Sequence, residues 1–319
     1  MRILFITYTR IGDAVLSTGL LDHVLRRHPG IGVTVVCGPV AAPLFTAVPG
    51  LERIIPLEKR RFSTHWLGMW SACWRRRWDM VIDLRNTPWS YLLAARRRCR
   101  MGRPRDDVHR VVSLGRVLGL EARPPAPHIW TTDAELRRAA SLIPEGAPVL
   151  AVGPTANWAA KTWRAAHFVT LIESLTGPGG ILEGARVAIF AHADERDAAR
   201  PVIDAIPPER RLDFVGRLPL LEVYACLQRA ALYVGNDSGL MHLAAAAGIP
   251  TLGLFGPSRE ELYAPWGEHS ATVRPPAEYQ DLFPAGFDHR NAETLMDGLT
   301  PDAVATAAAA LWRRLEKAA

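Results

Sequence analysis

The chain has 319 residues, 49% of them hydrophobic and 22% charged. That length and composition suit two ordinary domains or one large one, with sizeable cores, and exclude disordered and collagen-like chains. The net charge of +6 is unevenly divided: residues 1–150 carry 23 Lys and Arg against 12 Asp and Glu (+11), whereas residues 151–319 carry 15 against 20 (−5). Such a split predicts two domains, the first facing something anionic, with nucleic acid, an acidic membrane surface and a phosphorylated substrate all open.

In chain order, Arg2 to Tyr8 is a β-rich apolar run, broken too soon by Arg10 and Asp13 to be a secretory signal core. Val15, Leu16, Leu20, Leu21, Val24 and Leu25 fall at helical spacing and predict a helix over 12–27. Strands are expected at 32–37, closed by Gly38-Pro39, and at 79–84. A proline-rich stretch over 123–130 and a helix-like segment over 133–142 then lead into the second half. There the pattern restarts, with strands at 148–152, 185–191, 231–234 and 250–255 alternating with helices at 165–175, 220–229 and 239–247. An Ala-rich helix closes the chain, with Thr300 as its cap and Pro301 at its first position.

Strands alternating with helices imply parallel βαβ units. The predicted fold class is therefore α/β, two Rossmann-like domains facing a central cleft, with domains at 1–145 and 146–300 and a final segment at 301–319. The longest apolar stretch, 239–257, contains His242, Gly248 and Pro250, so no membrane span is expected. Four scattered cysteines, Cys37, Cys73, Cys99 and Cys226, form no CxxC pair and read as free thiols of a reducing compartment.

Ligands in such sheets bind beyond the carboxyl ends of the strands, so the loops after strands hold the candidate chemistry. After the first strand, Thr9-Arg10-Ile11-Gly12-Asp13 lets the backbone approach a ligand at Gly12 and puts a carboxylate at a helix start. Asp13 there is either a general base or simply an acid that complements the helix dipole. No GxGxxG accompanies it. In Val234-Gly235-Asn236-Asp237-Ser238-Gly239-Leu240-Met241-His242, a strand ends and a helix begins, so that backbone N–H groups at Ser238 and Gly239 make a phosphate site. Asp237 fits such a site as an acceptor of sugar hydroxyls, and His242 is either a ligand-side group or a satisfied helical histidine. The third loop, Gly153 to Trp163, holds Lys161, one of three lysines beside Lys59 and Lys317, placed to hold a diphosphate as a point charge.

Together, the Arg10-Ile11-Gly12-Asp13 loop, the Gly153…Lys161-x-Trp163 loop and the block from Asn236 to Ser258 resemble glycosyltransferase family 9, the ADP-heptose:lipopolysaccharide heptosyltransferase family. The likeness runs from Arg10 to the helix after Thr300, and implies a GT-B fold with the acceptor on the first domain and the nucleotide sugar on the second. The closing helix in that fold commonly crosses back to the first domain. On matching positions, the resemblance implies Asp13 as catalytic base, Lys161 on the donor's phosphate and sugar region, Asp237 on the donor sugar, and Ser238 and Gly239 as backbone donors to phosphate. His242 is the histidine of the same loop. Thr155 and Asn157 occupy the stretch where the family has a hydroxyl-bearing residue, while Arg10 and Gly12 belong to the acceptor loop. Gly19 stands where the family usually has proline.

The resemblance further implies an inverting reaction, with ADP-heptose or a related nucleotide sugar as donor and an anionic glycolipid as acceptor. No Asp-x-Asp motif is present, and no metal or other cofactor is expected. Rival readings are another GT-B enzyme, such as a nucleotide-sugar epimerase, and a catalytically silent nucleotide-sugar-binding protein.

Trp66, Trp70, Trp74 and Trp78 recur every four residues beside Arg75, Arg76 and Arg77. On one helix they form either a core face or an interfacial face for anionic lipid. Arg96, Arg97, Arg98, Arg100, Arg103 and Arg105 reinforce the cationic field. The expected location is cytoplasmic, in peripheral contact with the inner membrane, without nucleic acid as a partner.

Overall fold

The computed structural model describes residues 1–58, 61–103, 105–283, 287–288 and 292–317. Its contacts divide the chain into two units, Met1–Ala134 and Glu135–Ala319. The boundary falls earlier than the expected 145 because the helix over 133–142 is tied into the second unit: Arg138 pairs with Glu222 at 3.8 Å, and Arg229 Nε donates to the carbonyl of Ile143 at 2.6 Å.

The first unit runs β1 (Arg2–Ile6), α1 (Ile11–Arg27), β2 (Gly32–Cys37), β3 (Leu51–Pro56), α2 (His65–Cys73), β4 (Trp78–Asp83), β5 (Ala95–Arg100) and α3 (Arg110–Gly115). The five strands are parallel in the order β3-β2-β1-β4-β5. The order reverses direction between β1 and β4, whose ends are level (Ile6 opposite Asp83). Leu4 and Ile6 of β1 and Val81 of β4 are buried with Met69 and Cys73 of α2. Helix α1 turns Ala14 to Leu21 inward and ends on Arg26 and Arg27, cations at the negative end of its dipole. Gly19 lies on that inward face, where a Cβ would come within 2.4 Å of the carbonyl oxygens of Pro125 and Ala126. The proline-rich stretch therefore packs directly on the helix, and Thr18 Oγ1 accepts the His128 N–H at 2.9 Å.

Two sequence expectations change here. The tryptophan series does not form one helical face, because α2 stops at Cys73. Trp78 is a buried residue of β4, Trp66 and Trp70 pack on the core, and only Trp74 stands out, 46% exposed. The arginine run at 96–100 is edge strand β5, in which Arg96, Arg97 and Arg98 are exposed and Cys99 is buried. Charge on an edge strand discourages pairing with another chain.

The second unit continues with α4 (Asp133–Leu142), β6 (Val149–Gly153), α5 (Ala165–Thr176), β7 (Arg186–Ile189), α6 (Arg196–Ala205), β8 (Arg211–Asp213), α7 (Leu220–Leu227), β9 (Leu232–Asn236), α8 (Gly239–Ala246), β10 (Thr251–Leu254), α9 (Glu260–Tyr263), β11 (Ser270–Val273) and α10 (Pro301–Glu316). Six parallel strands lie in the order β11-β10-β9-β6-β7-β8, reversing direction between β6 and β9. Thr300 caps α10 through Oγ1, which accepts the Ala303 N–H, with Pro301 in the first turn. Val304, Ala308 and Leu311 are buried with Phe168 and Leu171 of α5. That apolar stripe packs on α5 within the second unit. Ala318 and Ala319 of the expected closing segment lie outside the described residues.

Among the described residues, no helix is long and apolar enough to cross a membrane. All four cysteines are free and buried. Burial pushes the thiols of Cys37 and Cys226 up to about 12 and that of Cys73 up to about 11.

Candidate active site

The second sheet changes direction between β6 and β9, and the last residues paired there are both glycine, Gly153 opposite Gly235. The reason is Tyr233, two residues earlier on β9 and fully buried. Side chains two apart share a face, so the ring of Tyr233 lies over Gly235 and its neighbour. A Cβ on Gly153 would meet the phenol oxygen at 2.1 Å, and one on Gly235 at 2.4 Å. Burial pushes the phenol well above its ordinary pKa; Ser238, which faces it, acts the other way, and the charges of Glu195 and Asp237 push it further up. The neutral hydroxyl thus forms part of the floor under the strand ends.

Gly153→Ala is expected to destabilise the protein by about 1–3 kcal/mol through overpacking, measured by urea unfolding. Adding Tyr233→Phe removes the colliding oxygen and should recover most of that loss. A double variant as unstable as Gly153→Ala would show that the clash lies elsewhere.

Above this floor, Lys161 Nζ lies 3.3 Å from Asp237 Oδ2, both side chains largely out of solvent. The lysine is held by its loop: Ala160 O accepts the N–H of Leu295 at 2.8 Å, and Arg164 grips Asp297 with two hydrogen bonds of 2.5 and 2.6 Å. Asn236 Oδ1 accepts the Trp163 N–H at 3.0 Å, while Trp163, fully buried, donates from Nε1 to Leu299 O. Asn236 thereby clamps the β9 end to the Lys161 loop. Ser238 is the N-cap residue of α8, yet no side chain caps that helix. Its first N–H groups and its dipole together favour an anion.

Thr155 Oγ1 donates to Glu195 Oε2 at 2.8 Å, and the same oxygen accepts the His192 N–H at 3.0 Å. Of the sequence candidates, Thr155, Lys161, Asp237, Ser238, Gly239 and His242 thus belong to loops and a helix start at one sheet edge. His242 is 4% exposed on the first turns of α8. Asn157 is exposed, and the structure gives it no part in this network. Sequence reasoning missed Glu195 and Tyr233. Glu195 could have been found as the acid in the loop after a strand, His192-Ala193-Asp194-Glu195.

In the first unit, Arg10 is the exposed N-cap residue of α1, and Gly12 and Asp13 are half-buried in its first turn. Gly38 allows the loop after β2 to pass the Thr9 backbone, since a Cβ there would lie 2.6 Å from Thr9 Cα. Among the described residues, no group of three or more His, Cys, Asp or Glu could hold a metal ion.

Two all-parallel units, each with a strand-order reversal and polar loops at its strand ends, define an open α/β architecture whose ligand edge is that of the strand ends. The solved structure of Escherichia coli ADP-heptose LPS heptosyltransferase II matches it with a TM-score of 0.73 at 21% identity, over 99% of this chain and 100% of that one. E. coli heptosyltransferase WaaC with ADP matches at 0.71 and 19%, over 98% and 100%. The fold is thus GT-B. Lipopolysaccharide heptosyltransferase 2 of Salmonella typhimurium is 24% identical, with 95% of this chain and 96% of that protein aligned. Residues 85–282 match the family model of glycosyltransferase family 9 (heptosyltransferase). The chain belongs to that family and is a glycosyltransferase.

Proposed function

We propose that the protein transfers heptose from ADP-heptose to an acidic lipopolysaccharide-core glycolipid with inversion at the anomeric carbon. The observation that carries this reading is the Lys161–Asp237 pair beside the uncapped start of α8. A cation and free backbone donors suit a diphosphate, and a carboxylate suits sugar hydroxyls. The relatives' names supply the sugar and the nucleotide: one is an ADP-heptose transferase and another holds ADP.

In this mechanism Asp13 takes the proton of an acceptor hydroxyl as its oxygen attacks the anomeric carbon. The bond from that carbon to the diphosphate oxygen breaks on the opposite face, and ADP leaves with the electron pair. Lys161 and the amides at the start of α8 stabilise the charge that grows on the diphosphate. Asp237 orients the donor sugar, while Thr155 and Asn157 line the loop that carries Lys161.

With positive charge supplied by a side chain and a helix end, transfer is expected to proceed in excess EDTA at its full rate. A rate lost in EDTA and restored by a divalent cation would contradict that. For membrane contact, the supporting feature is the set of exposed apolar side chains of the first unit, Phe62, Leu67, Trp74, Tyr91 and Leu92, amid arginines. Apolar anchors with cationic neighbours suit an anionic bilayer surface.

Titration calorimetry with ADP-heptose tests the donor assignment. Saturable binding that Asp237→Ala weakens supports it, and absence of binding to the wild-type protein overturns it.

A further inference from the structure

At the carboxyl end of β4, on the β1–β4 side where the first sheet reverses direction, the chain is fixed by a fully buried carboxylate. Asp83 is 0% exposed; its Oδ1 accepts the Arg85 N–H at 2.9 Å, and its Oδ2 accepts from Ser90 Oγ at 2.7 Å and lies 3.6 Å from Arg100 Nε. Next to Arg85, Asn86 takes a left-handed conformation (φ 52°) and bonds Gly102 from both ends of its amide, at 2.6 and 3.3 Å. A non-glycine residue in that region is uncommon and needs such anchoring. Arg85 is therefore presented by a rigid turn.

Arg85 is half-buried, and its guanidinium lies against two aromatic rings, 5.6 Å from the centre of Trp66 and 6.0 Å from that of Tyr8. Among the described residues no carboxylate pairs with it, although neighbouring Arg100 has Asp83. Thr7, Thr9, His65 and Trp66 line a small recess with it. Thr9 belongs to the loop that leads to Asp13. Open α/β sheets bind ligands where the strand order reverses, and Arg85 and the Thr9 loop follow the two strands that flank that point.

An arginine half-buried against aromatic faces, with no carboxylate partner among the described residues, gives up hydration that those faces only partly replace. An oxyanion would restore it, and arginine's planar fork takes a carboxylate or phosphate through two parallel hydrogen bonds. We propose that Arg85 is the recognition residue for an anionic group of the acceptor, a carboxylate or a phosphate, held on the first unit beside the loop of Asp13. This rests on the transferase reading above and adds the acceptor-selecting residue to it.

The test is steady-state kinetics of ADP release by the full chain. The acceptor is a de-acylated, heptose-free core oligosaccharide bearing sugar-acid carboxylates and phosphates, and wild type is compared with Arg85→Gln and Arg85→Lys. The acceptor KM is expected to rise by about tenfold or more in Arg85→Gln, since a charged hydrogen-bonded contact is lost. Donor KM should stay unchanged, and the ratio should shrink with added salt. Arg85→Lys should fall between the two, keeping charge without the fork, and it carries the test if Arg85→Gln unfolds. Phosphatase treatment of the acceptor identifies the group. A persisting wild-type advantage assigns the carboxylate, a vanished one assigns the phosphate, and either upholds the proposal.

An unchanged acceptor KM in a folded Arg85→Gln overturns it. So does an effect seen only as lost binding to phosphatidylglycerol vesicles, because the anion would then be a lipid headgroup. If the wild-type protein itself releases no ADP, the transferase reading fails first, and the two failures are told apart.

Discussion

Replacing Asp13 with Asn is expected to lower kcat by about 10²–10⁴-fold, the usual worth of a positioned general base. Binding of ADP-heptose should be unaffected. Asparagine keeps the size of the side chain and one accepting oxygen but is not a base. Asp13 is half-buried in the first turn of α1, just past Arg10, where an acid also complements the helix dipole. That second role is worth about 0.3–1 kcal/mol in stability and nothing in chemistry. The two roles separate cleanly by measurement. A base gives a large kcat loss whatever the midpoint does, whereas a dipole partner alone gives a small midpoint shift with near-normal turnover. Near-normal turnover would remove Asp13 from the mechanism.

The second large effect is expected at Lys161. Lys161→Ala should reduce kcat by about 10²–10³-fold, comparable to loss of one preorganised group that stabilises developing charge. It should also weaken ADP binding. In the free protein the same change leaves Asp237, 8% exposed, without the cation 3.3 Å away. Removing one partner of a buried pair costs more than removing both. Lys161→Ala is therefore expected to be less stable than Lys161→Ala combined with Asp237→Asn, while turnover stays low in both. Calorimetric melting and single-turnover rates check the two halves of this statement. If Lys161→Ala keeps near-normal turnover, the leaving diphosphate is stabilised by other groups.

Much of this arrangement was legible in the sequence, because buried parallel strands are short apolar runs that a polar, Gly-containing loop follows. Arg2 to Tyr8 and Pro148 to Val152 were read that way, and their loops lead to Asp13 and Lys161. Edge strands were not legible. β3 (Leu-Glu-Arg-Ile-Ile-Pro) and β5 (Ala-Arg-Arg-Arg-Cys-Arg) present one side to solvent, so charge masks their pattern, and the run in β5 reads as a cationic patch. Helix α6 was hidden by Pro201 in its interior, which local propensity counts against a helix; the burial of Ala199, Val202 and Ile203 outweighs it. The tryptophan series misled because a spacing of four looks helical even when the last member lies on the next strand.

At the site, Lys161 was visible through its rarity and Asp237 through its loop. Tyr233 was invisible because its meaning depends on Gly153 and Gly235 being neighbours across two strands. No local window contains that fact. Arg85 was hidden in the same way, since what singles it out is the absence of a carboxylate partner among the described residues and the aromatic rings that flank it, from positions 8 and 66.

The most direct test of heptosyl transfer by this protein is ADP release from ADP-heptose, with and without a heptose-free lipopolysaccharide-core acceptor, in wild type and Asp13→Asn. A transferase that uses Asp13 as its base is expected to give release that requires the acceptor and collapses in the variant. Release at the same rate without acceptor, or undiminished in Asp13→Asn, would contradict it.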